Sequence, residues 1–229
     1  MKKIITLFAI ILIAGTSLVS AQDDVRPDYA NRRAALLFTF SGLANIGAGN
    51  FEGGIGGKYF LNPMMAVRAG LSLSTISETV PSQAANGKEG KTSSTGFGLN
   101  GAIEYHLSST RVSPYIGGGF GLSTTSTESK DPVNANQDQV TIKNNLGGET
   151  ISGTTYNAGT SISLYALLGA EFFIYRELSL AAEYRLGFIS TSRSDQERTV
   201  GNVTDKTKGG SISQFGVESQ GFITLAFYF

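Results

Sequence analysis

The chain is built largely of segments in which apolar and polar side chains alternate with a period of two. Because successive side chains of a β-strand point to opposite faces, each such segment predicts a strand with one apolar face. Near the end of the sequence, Leu225, Phe227 and Phe229 share one parity and the final residue is aromatic. Eight predicted strands of roughly ten to fourteen residues follow from this pattern, at about residues 34–43, 51–61, 64–76, 96–107, 112–124, 160–174, 177–189 and 215–229.

Charged residues fall on only one parity of these segments. In the seventh segment, Glu183 and Arg185 lie opposite an apolar row that includes Tyr184. The first segment is less regular, because Leu37 lies on its inward parity. A soluble β-sandwich would place polar residues outside and apolar residues inside, so the charge-free face here is predicted to meet lipid. Backbone groups in lipid need internal partners, and the sheet must therefore close without an edge. The predicted fold is an all-β, eight-stranded antiparallel up-and-down transmembrane β-barrel.

The connections alternate between short and long, as in bacterial outer-membrane barrels. The short turns are at residues 61–63, 108–111 and 175–177, and the long polar loops are at residues 77–95, 125–159 and 190–214. This asymmetry predicts that the short turns face the periplasm and the long loops face the outside of the cell. Within the second long loop, residues 138–143 and 150–156 are predicted to pair as a hairpin that extends the barrel wall.

The N-terminus is typical of a secretory signal. Lys2 and Lys3 precede an apolar run, and Val19-Ser20-Ala21 forms a small-residue cleavage site. The apolar run is short compared with the ~20 residues of a membrane-spanning helix. The predicted organisation is a cleaved signal peptide at residues 1–21, a short periplasmic segment at 22–33, and a transmembrane barrel at 34–229.

Composition excludes several functional classes. Loss of Lys2 and Lys3 with the signal would leave 16 basic against 18 acidic residues, a net charge of −2, so no nucleic-acid partner is expected. The chain has no cysteine, which excludes disulfides and thiolate chemistry, and His106 is its only histidine. We therefore predict no metal site and no cofactor.

The inward parity carries charges that are predicted to form an interlocked ion-pair network. An eight-stranded barrel is just wide enough for side chains to fill it, and charges at membrane depth are costly unless paired or hydrated. We predict that this network plugs the lumen and has a structural role. Inward glycines leave space, however, and a narrow channel for small or apolar solutes is the alternative interpretation. The predicted network comprises Lys58, Arg68, Glu104, Glu171, Glu183, Arg185 and Glu218.

A catalytic interpretation rests on His106. Ser108 and Ser109 are close in sequence, and Glu104 lies two residues earlier on the same face. These residue types occur in hydrolytic triads. The site would lie at the periplasmic rim with no evident substrate pocket, so a lipid-modifying enzyme is the least favoured of the three interpretations and no catalytic residue is assigned.

Two stretches resemble a known family. Residues 112–122 (VSPYIGGGFGL) and 180–187 (LAAEYRLG), with the aromatic terminus, resemble the small eight-stranded outer-membrane barrels of the OmpX/OmpA type and their "outer membrane protein β-barrel domain" relatives. The resemblance implies a location in the outer membrane of a Gram-negative-type bacterium, in contact with its lipid. In that family the terminal aromatic resembles the signal read by the barrel-assembly machinery, and Leu225, Phe227 and Phe229 match it.

The resemblance specifies architecture more closely than function, since family members include adhesins, structural anchors, small pores and a few lipid-modifying enzymes. We expect a monomer with a largely filled lumen. Its expected role is structural or in surface interaction, such as adhesion or envelope integrity, with an extracellular surface or protein partner bound through the long loops.

Overall fold

The regular structure consists of β-strands that form one barrel wall and a smaller extracellular sheet. The computed structural model describes Pro27 and residues 32–41, 53–84, 86–217 and 221–229. The strands are β1 (Ala34–Ser41), β2 (Gly53–Asn62), β3 (Met65–Val80), β4 (Gly90–His106), β5 (Val112–Lys130), β6 (Val140–Lys143), β7 (Glu149–Ile151), β8 (Thr154–Tyr156), β9 (Gly159–Tyr175), β10 (Leu178–Arg193), β11 (Gln196–Val200), β12 (Val203–Thr207), β13 (Ser211–Val217) and β14 (Phe222–Tyr228).

The wall closes on itself through antiparallel pairs. β1, β2, β3, β4, β5, β9 and β10 pair in that order, and β14 pairs with both β10 and β1. β13 pairs with the upper part of β10, so β13 and β14 together occupy the eighth position. This arrangement confirms the predicted all-β, eight-stranded antiparallel barrel.

The two faces of the wall differ as the alternation predicts. Tyr184 is 60% exposed on the outer face, whereas its neighbour Glu183 is 3% exposed and points inward. The outer face is lined by exposed leucine, isoleucine, valine and aromatic side chains along every barrel strand. Because these side chains have no protein to pack against, the surface suits a hydrocarbon environment.

Several strands are longer than the sequence predicts. β3 continues to Val80, β4 begins at Gly90 and β5 continues to Lys130, so parts of the predicted loops 77–95 and 125–159 belong to the wall. β10 likewise continues to Arg193, and β13 begins at Ser211. The sequence predicts each strand end from the end of its apolar row, and this row stops at the membrane surface. Serine and threonine continue the backbone ladder above that level without an apolar row.

The short turns lie where the sequence predicts them. In the turn after β2, the Asn62 side chain accepts hydrogen bonds from the backbone amides of Met64 and Met65, both at 2.9 Å. Arg176 and Glu177 join β9 to β10. Arg32 donates a hydrogen bond to Glu177, and this contact lowers the pKa of the Glu177 carboxyl group. The residues before β1 are thereby tied to the periplasmic end of the barrel.

The predicted hairpin in the second long loop is wrong in its pairing. β6 pairs with β5 on one side and with β11 of the third long loop on the other, giving a sheet in the order β12-β11-β6-β5. β7 instead pairs with β8 across Ser152 and Gly153. Both of these residues have positive φ angles (50° and 84°), as a two-residue type I′ turn requires. This local turn lets β7 and β8 form backbone hydrogen bonds with each other, so β6 pairs with β5 and β11.

The β7–β8 hairpin lies at the extracellular mouth of the barrel, against β3, β4 and β5. β7 contacts β3, β4 and β5, and its Ile151 side chain is fully buried. The Ser152 amide also donates a hydrogen bond of 3.1 Å to Glu78 on β3. The mouth is therefore partly covered by the chain itself.

Some predicted features lie outside the described residues. They include the signal peptide at residues 1–21 and all of the segment 22–33 except Pro27, Arg32 and Arg33. Within the described residues, no helix is long and apolar enough to span a membrane.

Candidate functional site

Lys58, Arg68 and Glu104 come together inside the barrel because they are inward neighbours on β2, β3 and β4. Lys58 faces Arg68 across the β2–β3 pair, and Glu104 lies beside Arg68 across the β3–β4 pair. Lys58 Nζ is 2.7 Å from Glu104 Oε2, and Arg68 Nη1 is 2.8 Å from Glu104 Oε1. One carboxylate thus bridges two cations that would otherwise repel each other.

Arg68 extends the network to the opposite wall. Its Nη1 atom is 2.7 Å from Glu183 Oε2, and its Nη2 atom donates a hydrogen bond of 2.9 Å to Glu183 Oε1. Arg185, two residues further along β10, binds the same carboxylate through Nε at 2.8 Å and Nη2 at 2.7 Å. The Tyr115 hydroxyl donates to Glu183 Oε2 at 3.1 Å. Glu183 is therefore fully satisfied although it is buried.

Glu171 joins the network from β9. Lys58 Nζ is 2.8 Å from Glu171 Oε2, so the lysine is held between two carboxylates. The other oxygen, Glu171 Oε1, accepts hydrogen bonds from Ser179 and, at 2.5 Å, from the Tyr228 hydroxyl. Charged groups inside a low-dielectric environment need such hydrogen bonds as well as opposite charges.

The predicted network residues are thus brought together, with one exception. Lys58, Arg68, Glu104, Glu171, Glu183 and Arg185 form one continuous set of three cations and three carboxylates. Glu218 lies outside the described residues, so its membership stays a prediction.

Aromatic side chains fill the lumen beneath this network. Phe60, Phe173 and Tyr228 are buried at the turn end, with the Tyr228 ring 6.1 Å from the Phe60 centroid and 5.8 Å from the Phe173 centroid. Lys58 Nζ lies 4.9 Å from the Phe60 centroid, within the range of a cation–π contact. The periplasmic end of the lumen is therefore filled by packed side chains.

His106 contacts Glu104, which lies on the same face in the sequence, and also Ser113, a contact that the sequence does not indicate. Its Nδ1 atom is 2.9 Å from the Ser113 hydroxyl, and its Nε2 atom is 3.4 Å from Glu104 Oε2. Ser108, which the sequence offers as a nucleophile, is instead paired with Thr110 at 2.7 Å. The Ser113–His106–Glu104 group has the composition of a hydrolytic triad, but Ser113 and His106 are both 0% exposed. The group is buried within the packed lumen.

Inward glycines make room for tyrosine rings. A Cβ atom on Gly169 would lie 2.4 Å from Cζ of Tyr115, and one on Gly119 would lie 2.7 Å from Cζ of Tyr165. Each ring therefore lies against the glycine that is its register partner on the neighbouring strand of the β5–β9 pair. Inward glycines suggest an open lumen from the sequence, but at this level the tyrosine rings occupy the space that the glycines leave.

A cavity remains on the loop side of the network. It has a volume of about 400 Å³ and begins at Arg68 and Arg185. Gly54, Gly56 and Gly70 form part of its wall. The space that the glycines predict is thus present in the loop half of the lumen.

A family comparison identifies the type of barrel. The family model described as "Outer membrane protein beta-barrel domain" matches residues 7–218. The chain belongs to this outer-membrane barrel family. The family places the protein in the cell outer membrane.

Comparison with solved structures gives weaker similarities. The chain is 9% identical to Acinetobacter baumannii CarO, with coverage of 88% of this chain and 100% of that one and a TM-score of 0.39. It is 14% identical to a major outer membrane protein from Thermus thermophilus, with coverage of 86% and 99% and a TM-score of 0.43. No curated protein matches the chain.

The end of this outer-membrane barrel has the two faces that the sequence predicts. Phe227 and Phe229 are exposed on the outer face, with Leu225 on the same parity, while Tyr228 is buried in the lumen. Among the described residues no cluster of potential metal ligands is present. The predicted network lacked Tyr115, Ser179 and Tyr228, which an inward-parity count that included hydroxyl groups would have found.

The extracellular sheet, which consists of β12, β11, β6 and the outer end of β5, is the second candidate site of this barrel. β11 and β12 form a hairpin whose turn begins at Gly201 with a φ angle of 58°. Lys206 on β12 forms an ion pair with Glu197 on β11, and its hydrogen bond lowers the pKa of the Glu197 carboxyl group. β12 pairs with β11 along one edge, and no described strand pairs with its opposite edge. All side chains of β12 are exposed.

Proposed function

We propose that this protein is a non-conducting outer-membrane barrel whose function lies in envelope structure and in surface interaction through its extracellular sheet. The observation that carries the proposal is the filling of the periplasmic half of the lumen. There, the ion-pair network and the aromatic layer beneath it are buried and mutually bonded.

The energetics of this closure favour a permanent plug. A solute that passed through would have to separate Arg68 from Glu183 and Lys58 from Glu171, pairs with N···O distances of 2.7 and 2.8 Å. Removing one partner of a buried ion pair costs about 3–5 kcal/mol. Several such pairs would have to open together. The β7–β8 hairpin, which packs against β3, β4 and β5 at the mouth, narrows the lumen further.

Single-channel recording tests the closed lumen. The refolded protein is inserted into a planar lipid bilayer, and insertion is verified by protease protection in matching vesicles. We expect no discrete conductance steps at moderate voltage, with a general porin as the positive control. Reproducible steps would contradict the proposal and make the narrow-channel interpretation the leading one.

Surface interaction is supported by the free edge of β12. An exposed strand edge offers unpaired backbone groups to an extended segment of another protein. In a two-residue hairpin, the residues flanking the turn pair by hydrogen bonds, so the backbone groups of Thr204 point away from β11 and those of Asp205 point toward it. The β12 edge can therefore be blocked without breaking the hairpin.

A proline pair separates edge pairing from general damage. Thr204→Pro removes an N–H group from the free edge, whereas Asp205→Pro removes one from the β11–β12 ladder. In cells that display each variant at equal density, adhesion to protein-coated and bare surfaces is measured under flow. We expect Thr204→Pro to lose adhesion while retaining hairpin structure. Adhesion equal to that of the unmodified protein would contradict a role for the β12 edge.

Recognition by the barrel-assembly machinery is supported by the exposed aromatic residues Phe227 and Phe229 on the outer face at the end of the last described barrel strand. We expect Phe229→Ala to slow folding into vesicles that contain the machinery far more than folding into empty vesicles. Phe215→Ala is the matched control, because Phe215 is also an exposed outer-face phenylalanine but lies on β13. An equal slowing in both kinds of vesicle would show that Phe229 acts through lipid contact alone.

A further inference from the structure

The cavity on the loop side of the network has the size and lining of a small-molecule site. Its volume of about 400 Å³ falls within the ~300–1,000 Å³ of typical ligand pockets. Its lining combines apolar and polar side chains with two guanidinium groups. The lining residues that the argument uses are Leu37, Arg68, Ser72, Asn100, Arg185 and Phe222.

Within the described residues, the charge exposed to this cavity is positive. Among the described residues that line it, Arg68 and Arg185 are charged and none is a carboxylate. The side chains of Glu104 and Glu183 lie beneath with only 1% and 2% exposure, whereas the Arg185 side chain is 14% exposed. The six described network residues carry three positive and three negative charges, yet they present their cations to the cavity and keep their acids covered.

Arg185 is held in a fixed orientation. Nε and Nη2 bind Glu183, and the guanidinium carbon lies 3.7 Å from the Phe222 ring centroid and 4.7 Å from that of Tyr165. Nη1 has no hydrogen-bond partner among the described residues. A guanidinium that is positioned in advance loses little side-chain entropy when it binds a carboxylate.

Other lining groups are also available to a ligand. The side chains of Ser72 and Asn100 make no hydrogen bond to the described part of the chain, although both line the cavity. Phe222, whose ring centroid lies 3.7 Å from the Arg185 guanidinium carbon, and Leu37 add apolar surface to the cavity wall. The cavity therefore offers a charged donor, neutral polar groups and an apolar wall within one small volume.

We infer that this cavity is a binding site for a small amphipathic organic acid. The carboxylate of the ligand binds the Nη1 edge of Arg185, its apolar body packs against Leu37 and Phe222, and Ser72 and Asn100 bond to its remaining polar groups. Because the lumen is filled on the periplasmic side of this site, the ligand is held and not passed on. The inference uses the cavity and its charges, and it stands whether or not the extracellular sheet binds a partner.

Calorimetric titration of the full mature protein in phosphatidylcholine nanodiscs tests the inference. The probe is benzoate, with benzamide as a neutral analogue of the same shape and empty nanodiscs as the blank. We expect saturable binding of benzoate and binding of benzamide that is at least about tenfold weaker, as expected from loss of a charge-assisted hydrogen bond.

Two variants locate the binding. Arg185→Gln removes the cation and is expected to weaken benzoate binding at least about tenfold without affecting benzamide. Ser72→Leu fills the cavity without touching the ion-pair network and is expected to abolish binding. Its matched control, Ser77→Leu, lies on the same strand on the exposed outer parity and should bind benzoate normally.

Three outcomes would overturn the inference. They are absence of saturable benzoate binding, equal affinity for benzoate and benzamide, and unchanged binding by Ser72→Leu. If Arg185→Gln fails to fold, the comparison of Ser72→Leu with Ser77→Leu still decides whether the acid occupies this cavity.

Discussion

Lys58 is the residue whose replacement most directly tests the lumen network. The Lys58 ammonium group is held between Glu104 and Glu171 at 2.7 and 2.8 Å, and its side chain is 4% exposed. Lys58→Met keeps a similar length and removes the charge. Glu104 would retain Arg68 at 2.8 Å. Glu171 would keep its hydrogen bonds from Ser179 and Tyr228 but lose its lysine.

The magnitude follows from that asymmetry. A buried carboxylate left without its cation costs about 3–5 kcal/mol, so Lys58→Met should lower the free energy of unfolding by about that amount. Glu171→Gln leaves Lys58 paired with Glu104 and should cost less, about 1–3 kcal/mol. In the double variant no charge is orphaned, so its cost should be smaller than the sum of the two single costs by up to about 3 kcal/mol.

Urea unfolding in lipid vesicles measures all four proteins of this cycle. Far-ultraviolet circular dichroism and the electrophoretic shift between folded and unfolded barrel give two independent transitions. Lys91→Met is the control, since Lys91 is an exposed lysine on β4 above the membrane. Additive single costs, or a Lys58→Met barrel as stable as Lys91→Met, would refute the reasoning that the network acts as one unit.

Three further predictions follow from contacts elsewhere in the barrel. Arg185→Ala should lower the unfolding temperature measured by circular dichroism, because it removes two bonds to a buried carboxylate; an unchanged temperature would argue against a structural network. Gly117→Ala should lower the free energy of unfolding in urea by about 1–3 kcal/mol, because the new methyl group would lie 2.1 Å from a backbone oxygen. Gly118→Ala on the outer face, where the nearest atom would be 3.4 Å away, should be near neutral, and equal costs would contradict this steric reasoning. Because Lys206 lowers the pKa of Glu197, Lys206→Gln should raise that pKa in an NMR titration. The unmodified hairpin therefore keeps this contact at neutral pH and loses it as the pH falls through the lowered pKa. An unmoved pKa would exclude the contact in solution.

The barrel and the six described charges of its lumen network were predictable from the sequence because both depend on parity. Lipid requires an uncharged outer face on every strand, so the position of Glu183 beside Tyr184 is already informative. The turns were equally accessible, since Asn62 and the following proline mark a chain reversal. The paired charges follow from placing inward residues at equal distances from those turns.

The extracellular structure was not predictable in the same way. Above the membrane no apolar row is needed, and the Ser- and Thr-rich ladder of β3 to β5 resembles a loop in composition. The pairing of β6 with β11 joins two different loops, so no local pattern announces it. Within the lumen, Ser113 was missed because its link to His106 depends on how the turn at residues 107–111 brings two strands together.

The ion-pair network also distinguishes registers that the alternating pattern cannot. A slip of one residue between two strands would turn apolar side chains into the lumen, but a slip of two residues leaves every face correct. Such a slip moves a side chain about 7 Å along its strand. It would separate Lys58 from Glu104 and Tyr228 from Glu171, whose contacts are 2.7 and 2.5 Å. The apolar rows thus define which way each strand faces, while the buried charges define how far along it lies, and so they fix the stagger and width of the closed barrel.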